Sequence, residues 1–99
     1  MIIIHGTMSL TPDAPGYREF VESARTSGPA ARAEAGNIAY VYAADLHDPS
    51  RLHLFEIWRS QAALDQHRVE PVHLQRMSDL KRWGLTWDRV QVYDAEQRL

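Results

Sequence analysis

Three side chains close together in this chain have the chemistry to act on a small molecule: the carboxylate of Glu56, the indole of Trp58 and the imidazole of His67. Histidine, with an ordinary pKa of about 6.5, can take a phenolic or enolic proton at neutral pH, and it can equally well serve only to hold a corner between helices. An indole at the mouth of a cavity can stack on a flat aromatic ring while its N–H fixes orientation; buried, it contributes area to the core. Glu56 alternates with Leu54 and Trp58 along a strand-like segment, which places it mid-sheet, where an unpaired carboxylate is costly. A partner arginine is the expected compensation, the alternative being a raised pKa that makes it an acid or base. In the first strand-like segment His5 offers a second polar contact, and Gly6 beside it leaves room for a ligand or marks a bulge.

Several chemistries are argued against. The chain has no cysteine, so there are no disulfides, thiolate metal sites or thiol nucleophiles. Among the five histidines, His67 and His73 miss the i, i+4 spacing that presents two imidazoles on one helical face, and no His-Glu-x-x-His occurs, so no metal site is expected. Without a Gly-x-Gly-x-x-Gly or phosphate loop, no nucleotide cofactor is expected either. A formal net charge of −2 with no Lys/Arg run argues against nucleic acid. The apolar Met1-Ile2-Ile3-Ile4 is cut short by His5-Gly6 and lacks a basic flank, so neither a signal peptide nor a membrane span is expected. The expectation is a soluble, cytoplasmic protein.

These residues need a scaffold to position them. Residues 1–99 form a single domain, and at 44% hydrophobic and 24% charged the composition is that of a globular chain. The β-branched run from Ile2 to Met8 predicts a strand. Thr11, Pro12, Asp13 and Pro15 mark a helix start, and Tyr17, Phe20, Val21 and Ala24 follow as one apolar stripe. Gly28-Pro29 predicts a break or kink, with Pro29 restarting a short turn capped by Ser27. Residues 37 to 44 and 52 to 58 predict two strands joined by a turn-rich hairpin linker. Ser60 caps the next helix, Pro71 divides it in two, Gly84 ends it and residues 87 to 93 supply a last strand.

The order β-α-β-β-α-β is that of an α+β, ferredoxin-like fold with both helical layers on one face of a four-stranded antiparallel sheet. Along the second strand Ile38, Tyr40 and Tyr42 point one way and Ala39, Val41 and Ala43 the other; along the third, Leu52, Leu54 and Trp58 oppose Phe55 and Ile57. Neither face is polar, and a thin single-domain core with an apolar open face predicts a homodimer.

Gly36-Asn37-Ile38-Ala39-Tyr40, Phe55-Glu56-Ile57-Trp58-Arg59-Ser60 and Ala63-Leu64-Asp65-Gln66-His67 followed by Pro71, in this order, resemble the antibiotic biosynthesis monooxygenase family. The resemblance covers nearly the whole chain and implies a dimeric α+β barrel. The break at Gly28-Pro29 departs from relatives that read as one continuous helix there. The resemblance implies a monooxygenase working without metal, flavin or nicotinamide on an aromatic or quinol-type small molecule and dioxygen. Its Asp-x-His motif puts His67 forward as base or anion-stabilising donor. Trp58 is then the stacking wall and His5 a second polar contact, with Glu56, Gly6 and Met77 as substrate contacts. The haem-degrading branch of the fold relies on an asparagine, a tryptophan and a histidine where this chain has Gly6, His67 and Met77, which disfavours that activity. Two alternatives stand beside the monooxygenase: a non-catalytic dimeric small-molecule-binding or regulatory domain, and an isomerase of a small oxygenated metabolite.

Overall fold

The computed structural model describes all 99 residues. Strand β1 (Ile2–Ser9) is followed by helix α1 (Tyr17–Arg32), the hairpin β2 (Asn37–Ala44) and β3 (Arg51–Trp58), consecutive helices α2 (Gln61–Val69) and α3 (Pro71–Arg82), and strand β4 (Thr86–Asp94). The sheet is antiparallel throughout, in the order β2-β3-β1-β4. This is the expected α+β architecture, with β1 and β3 central and β2 and β4 as edges.

Period-two alternation sorts the sheet into two faces. Ile2, Ile4 and Met8 of β1 and Leu52, Leu54, Glu56 and Trp58 of β3 are buried beneath the helices. Phe20 and Ala31 of α1, Leu64 of α2 and Leu80 of α3 meet them from above. Each of the Ile, Leu, Met and Phe side chains among them, taken fully out of water, contributes about 1.5 to 3 kcal/mol. The opposite face carries Ile3, His5, Val41, Phe55 and Ile57, which are only partly covered.

Three expectations about local structure are corrected. Helix α1 runs unbroken through Gly28-Pro29. Phe20 and Ala31 lie eleven positions apart, close to three full turns at 3.6 residues each, so both halves of the helix bury the same stripe on one sheet. Pro29 is on the exposed side, where the carbonyl deprived of its partner can bond water instead. The helix start also lies later than Pro12 and Pro15 suggest: Gly16 is the N-cap, with no side-chain cap, after a turn in which the Ala14 N–H bonds the Thr11 carbonyl. Along β2, Ile38 does not share the Tyr40 side. Asn37 pairs with Trp58 and Ala39 with Ile57, so Ile38 is the extra residue of a bulge and stands 48% exposed.

The helix ends follow their sequence signals. The Ser60 side chain accepts the Ala63 N–H at 3.2 Å, capping α2. Glu70 is extended (ψ 134°) because the residue before a proline is pushed out of the helical region, and Pro71 opens α3. Gly36, just before β2, has φ 81°, and a Cβ there would lie 2.5 Å from the Ala63 Cβ, so this entry to the sheet admits only glycine without rearrangement. No helix is long and apolar enough to cross a membrane.

Candidate functional site

Between the helical layer and the sheet, toward the β4 edge, lies a cavity of about 260 Å³. Ile4, Gly6, Leu54 and Glu56 form its floor; Leu64, His67, Arg68, His73 and Met77 line it from the helices; Trp87 and Val90 close it from β4. A mostly apolar cavity with few convergent polar groups is the usual form of a small-molecule site.

The polar group at its centre is His67, 5% exposed. Its Nδ1 lies 2.8 Å from Glu34 Oε2, contributed by the segment between α1 and β2. Its Nε2 is buried with no hydrogen-bond partner and stands 4.0 Å from Glu56 Oε1, beyond hydrogen-bond reach. A neutral imidazole that donates its Nδ1–H to Glu34 presents the Nε2 lone pair as an acceptor, the tautomer being set by the Glu34 carboxylate. Glu56 accepts the Trp58 Nε1–H at 2.9 Å. Burial pushes the Glu56 carboxyl above its ordinary range, opposed by that hydrogen bond and by His67. Glu34, partly exposed, bonds His67, and Glu56 bonds Trp58, so two bonded pairs meet across a 4.0 Å gap at the helix–sheet boundary.

His73 packs against His67 with ring centroids 4.5 Å apart. Burial, reinforced by His67, Arg68 and Arg76, holds its pKa down to about 4, so it is neutral at physiological pH. On the other side of this imidazole pair a second cavity of about 130 Å³ opens between α1 and α3.

The sequence profile of the antibiotic biosynthesis monooxygenase family matches residues 1–77. The chain belongs to this family. Over its full length it superposes on a candidate antibiotic biosynthesis monooxygenase of Deinococcus radiodurans, with a TM-score of 0.89, 25% identity and 96% of that chain covered. A second candidate of that family, from Nitrosomonas europaea, aligns over 96% of this chain and 98% of its own with a TM-score of 0.79 at 17% identity, a likeness of fold. An uncharacterized protein of Synechocystis is 33% identical over 70 residues, 71% of this chain; the matched region spans 46% of that relative.

Of the residues the family resemblance singles out, His67, Glu56, Gly6 and Met77 meet at the larger cavity. Trp58 does not line it: the indole is 0% exposed, packs under His67 at 4.6 Å and spends its N–H on Glu56. The arginine expected beside Glu56 is absent from its ion pairs; Trp58 and His67 take that place. His5 points to the open face of the sheet, where its Nε2 is 3.0 Å from His53 Nδ1 and His53 in turn bonds Asp45 at 2.8 Å. Strand parity alone decides this, since His5 pairs with Phe55 while Ile4 and Gly6 face the helices. The space over Gly6 is taken by an indole, because a Cβ there would lie 2.9 Å from Trp87 Cζ3.

Glu34, His73 and Trp87 escaped the sequence reading. His73 was set aside by a spacing rule for one continuous helix, which the corner at Glu70-Pro71 voids. Trp87 pairs with Met8 and reaches over Gly6 only through the register shift between β1 and β4, which no local signal gives. Glu34 carries no signal in its own neighbourhood, being 33 residues from His67 in sequence.

Proposed function

We propose that this protein is a monooxygenase that works without metal, flavin or nicotinamide on an electron-rich aromatic small molecule such as a phenol, hydroquinone or anthrone-like ring. One observation carries the reading: His67 Nε2, buried and unpartnered at the wall of a largely apolar cavity, with Nδ1 held by Glu34. His67 takes the acidic proton of the ring through Nε2, and the resulting anion is electron-rich enough to reduce dioxygen itself. For a ring methylene the balance is closed by the substrate alone: CH2 and O2 become C=O and water, with one oxygen atom in each. The apolar walls exclude water and keep the anion's charge close to the imidazolium.

The residues proposed to contact substrate are Met77 and Glu56, joined by Val90 and by Trp87, whose indole covers Gly6. Trp58 supports the site through Glu56 and His67. We further propose a homodimer as the working unit, formed by packing the open sheet faces. Val41 and Phe55 on that face are each 38% exposed, although they flank the centre of the sheet.

Oxygen uptake on a hydroquinone and anthrone panel tests the reading. His67→Ala is expected to lose about 10² to 10⁴ in kcat with KM little changed. Full activity with an unchanged pH profile in that variant removes His67 as the base. Product formation without oxygen uptake indicates an isomerase instead.

A further inference from the structure

We propose that the smaller cavity, between α1 and α3, binds the carboxylate of a small monoanionic organic acid, with Arg76 as its principal partner. Arg76 is 5% exposed and belongs to none of the ion pairs of the chain. Burying a cation without a counter-charge costs several kcal/mol. Existing contacts offset only part of that cost: Nε donates to the Tyr42 hydroxyl at 3.1 Å, Nη1 donates to Ser23 Oγ, and the guanidinium lies 4.7 Å from the centre of the Tyr42 ring. Nη2 has no partner.

The orphaned nitrogen is not alone. Ser27 Oγ, His73 Nδ1 and His67 Nε2 are also buried without partners, and Ser27, His67, His73 and Arg76 all line this one cavity. Buried polar groups are nearly always hydrogen-bonded, so the three beyond the His67 nitrogen already assigned to proton transfer point to a ligand here. A guanidinium, a hydroxyl and an imidazole N–H are donors, and together they match a carboxylate, which accepts at both oxygens. Ala30, Ala31 and Val72 supply apolar wall for a short carbon chain. At about 130 Å³ the space is slightly below the ~150 Å³ apolar cavity that takes up benzene.

The negative groups on the same wall set the charge of the ligand. Glu34 is engaged with His67 and Glu70 with the Gln66 amide. Both still disfavour a dianion, which makes a monocarboxylate the fitting class rather than phosphate. His67 and His73 line both cavities, so an acid anchored at Arg76 lies beside the imidazole pair. The proposal is independent of oxygenation, because it concerns binding alone.

The test is an NMR titration of the intact protein with butyrate, butyramide and inorganic phosphate, following the Arg76 Nε–Hε and Ser27 amide signals. Butyrate is expected to give saturable shifts at least tenfold tighter than butyramide and phosphate. Arg76→Gln should remove that preference. Ser27→Leu, which adds apolar volume to the cavity wall in a residue type favourable to helices, should abolish the shifts while circular dichroism stays native; it carries the comparison if Arg76→Gln fails to fold. Equal responses to acid and amide, a preference for phosphate, no response, or a butyrate preference that survives Ser27→Leu would each overturn the assignment.

Discussion

The bond from the Trp58 indole to Glu56 gives a quantitative expectation that differs sharply from a substrate-stacking role. Trp58→Phe removes three ring atoms from a site with no solvent exposure, a loss of roughly 2 kcal/mol at about 0.8 kcal/mol per buried carbon. It also removes the only N–H donated to the Glu56 side chain at 2.9 Å. Where Glu56 is ionised, the hydrogen bond to it contributes about 1.5 to 3 kcal/mol, so the total cost above the folded-state pKa of Glu56 is roughly 3.5 to 5 kcal/mol. In a Glu56→Gln background the bond is neutral and worth about 0.5 to 1.5 kcal/mol, so the two substitutions should couple by about 1 to 1.5 kcal/mol. Urea unfolding of the four proteins at one fixed concentration measures this, and with m near 1 to 2 kcal/mol per M the coupling appears as roughly 0.5 to 1.5 M in midpoint. The sign of the pH dependence follows from the raised folded-state pKa of Glu56. A carboxyl of that kind contributes most below its unfolded value of 4.5, and stability is lost as pH rises through the folded value. The advantage of Glu56→Gln should therefore grow with pH, and the coupling should fade as pH falls through the raised folded value. Additivity within about 0.3 kcal/mol at every pH at which the protein stays folded would refute the reasoning.

Four further outcomes are expected. Glu34→Gln should lower kcat about 10- to 100-fold in an oxygen-uptake assay with KM little affected, since it loosens the orientation of His67 without touching the substrate cavity. Gly6→Ala should destabilise by about 1 to 3 kcal/mol and shift tryptophan fluorescence, because the new methyl displaces the Trp87 ring. His73, with its pKa lowered from 6.5 to about 4, binds fewer protons folded than unfolded, so stability should fall as pH drops across that window; in His73→Phe the slope should flatten, as read by thermal melts. Phe55→Lys on the open face should give an 11.4 kDa monomer by light scattering, whereas an unchanged dimer would place the interface elsewhere.

The element order, the hairpin, the Ser60 cap and the corner at Pro71 were all legible in the sequence, because each rests on a local rule: period-two alternation, an acceptor at an N-cap, a proline that expels its neighbour from the helix. The family, too, was legible from short segments around Gly36, Trp58 and His67. Local rules failed where a distant partner decided the outcome. Pro29 reads as a helix breaker, yet the stripe holding Phe20 and Ala31 docks on one sheet and keeps α1 whole. Glu56 reads as needing an arginine, but the indole two residues along the same strand face supplies the donor. The Asp-x-His resemblance puts His67 forward; that its Nδ1 meets Glu34 and its Nε2 stays unpartnered depends on α2 packing against the segment between α1 and β2. Residue type and short spacing determine which side chains are able to act and which elements carry them. Which carboxylate meets which imidazole, and which cation is left without a counter-charge, is decided by packing between segments far apart in sequence, where no period or spacing rule reaches.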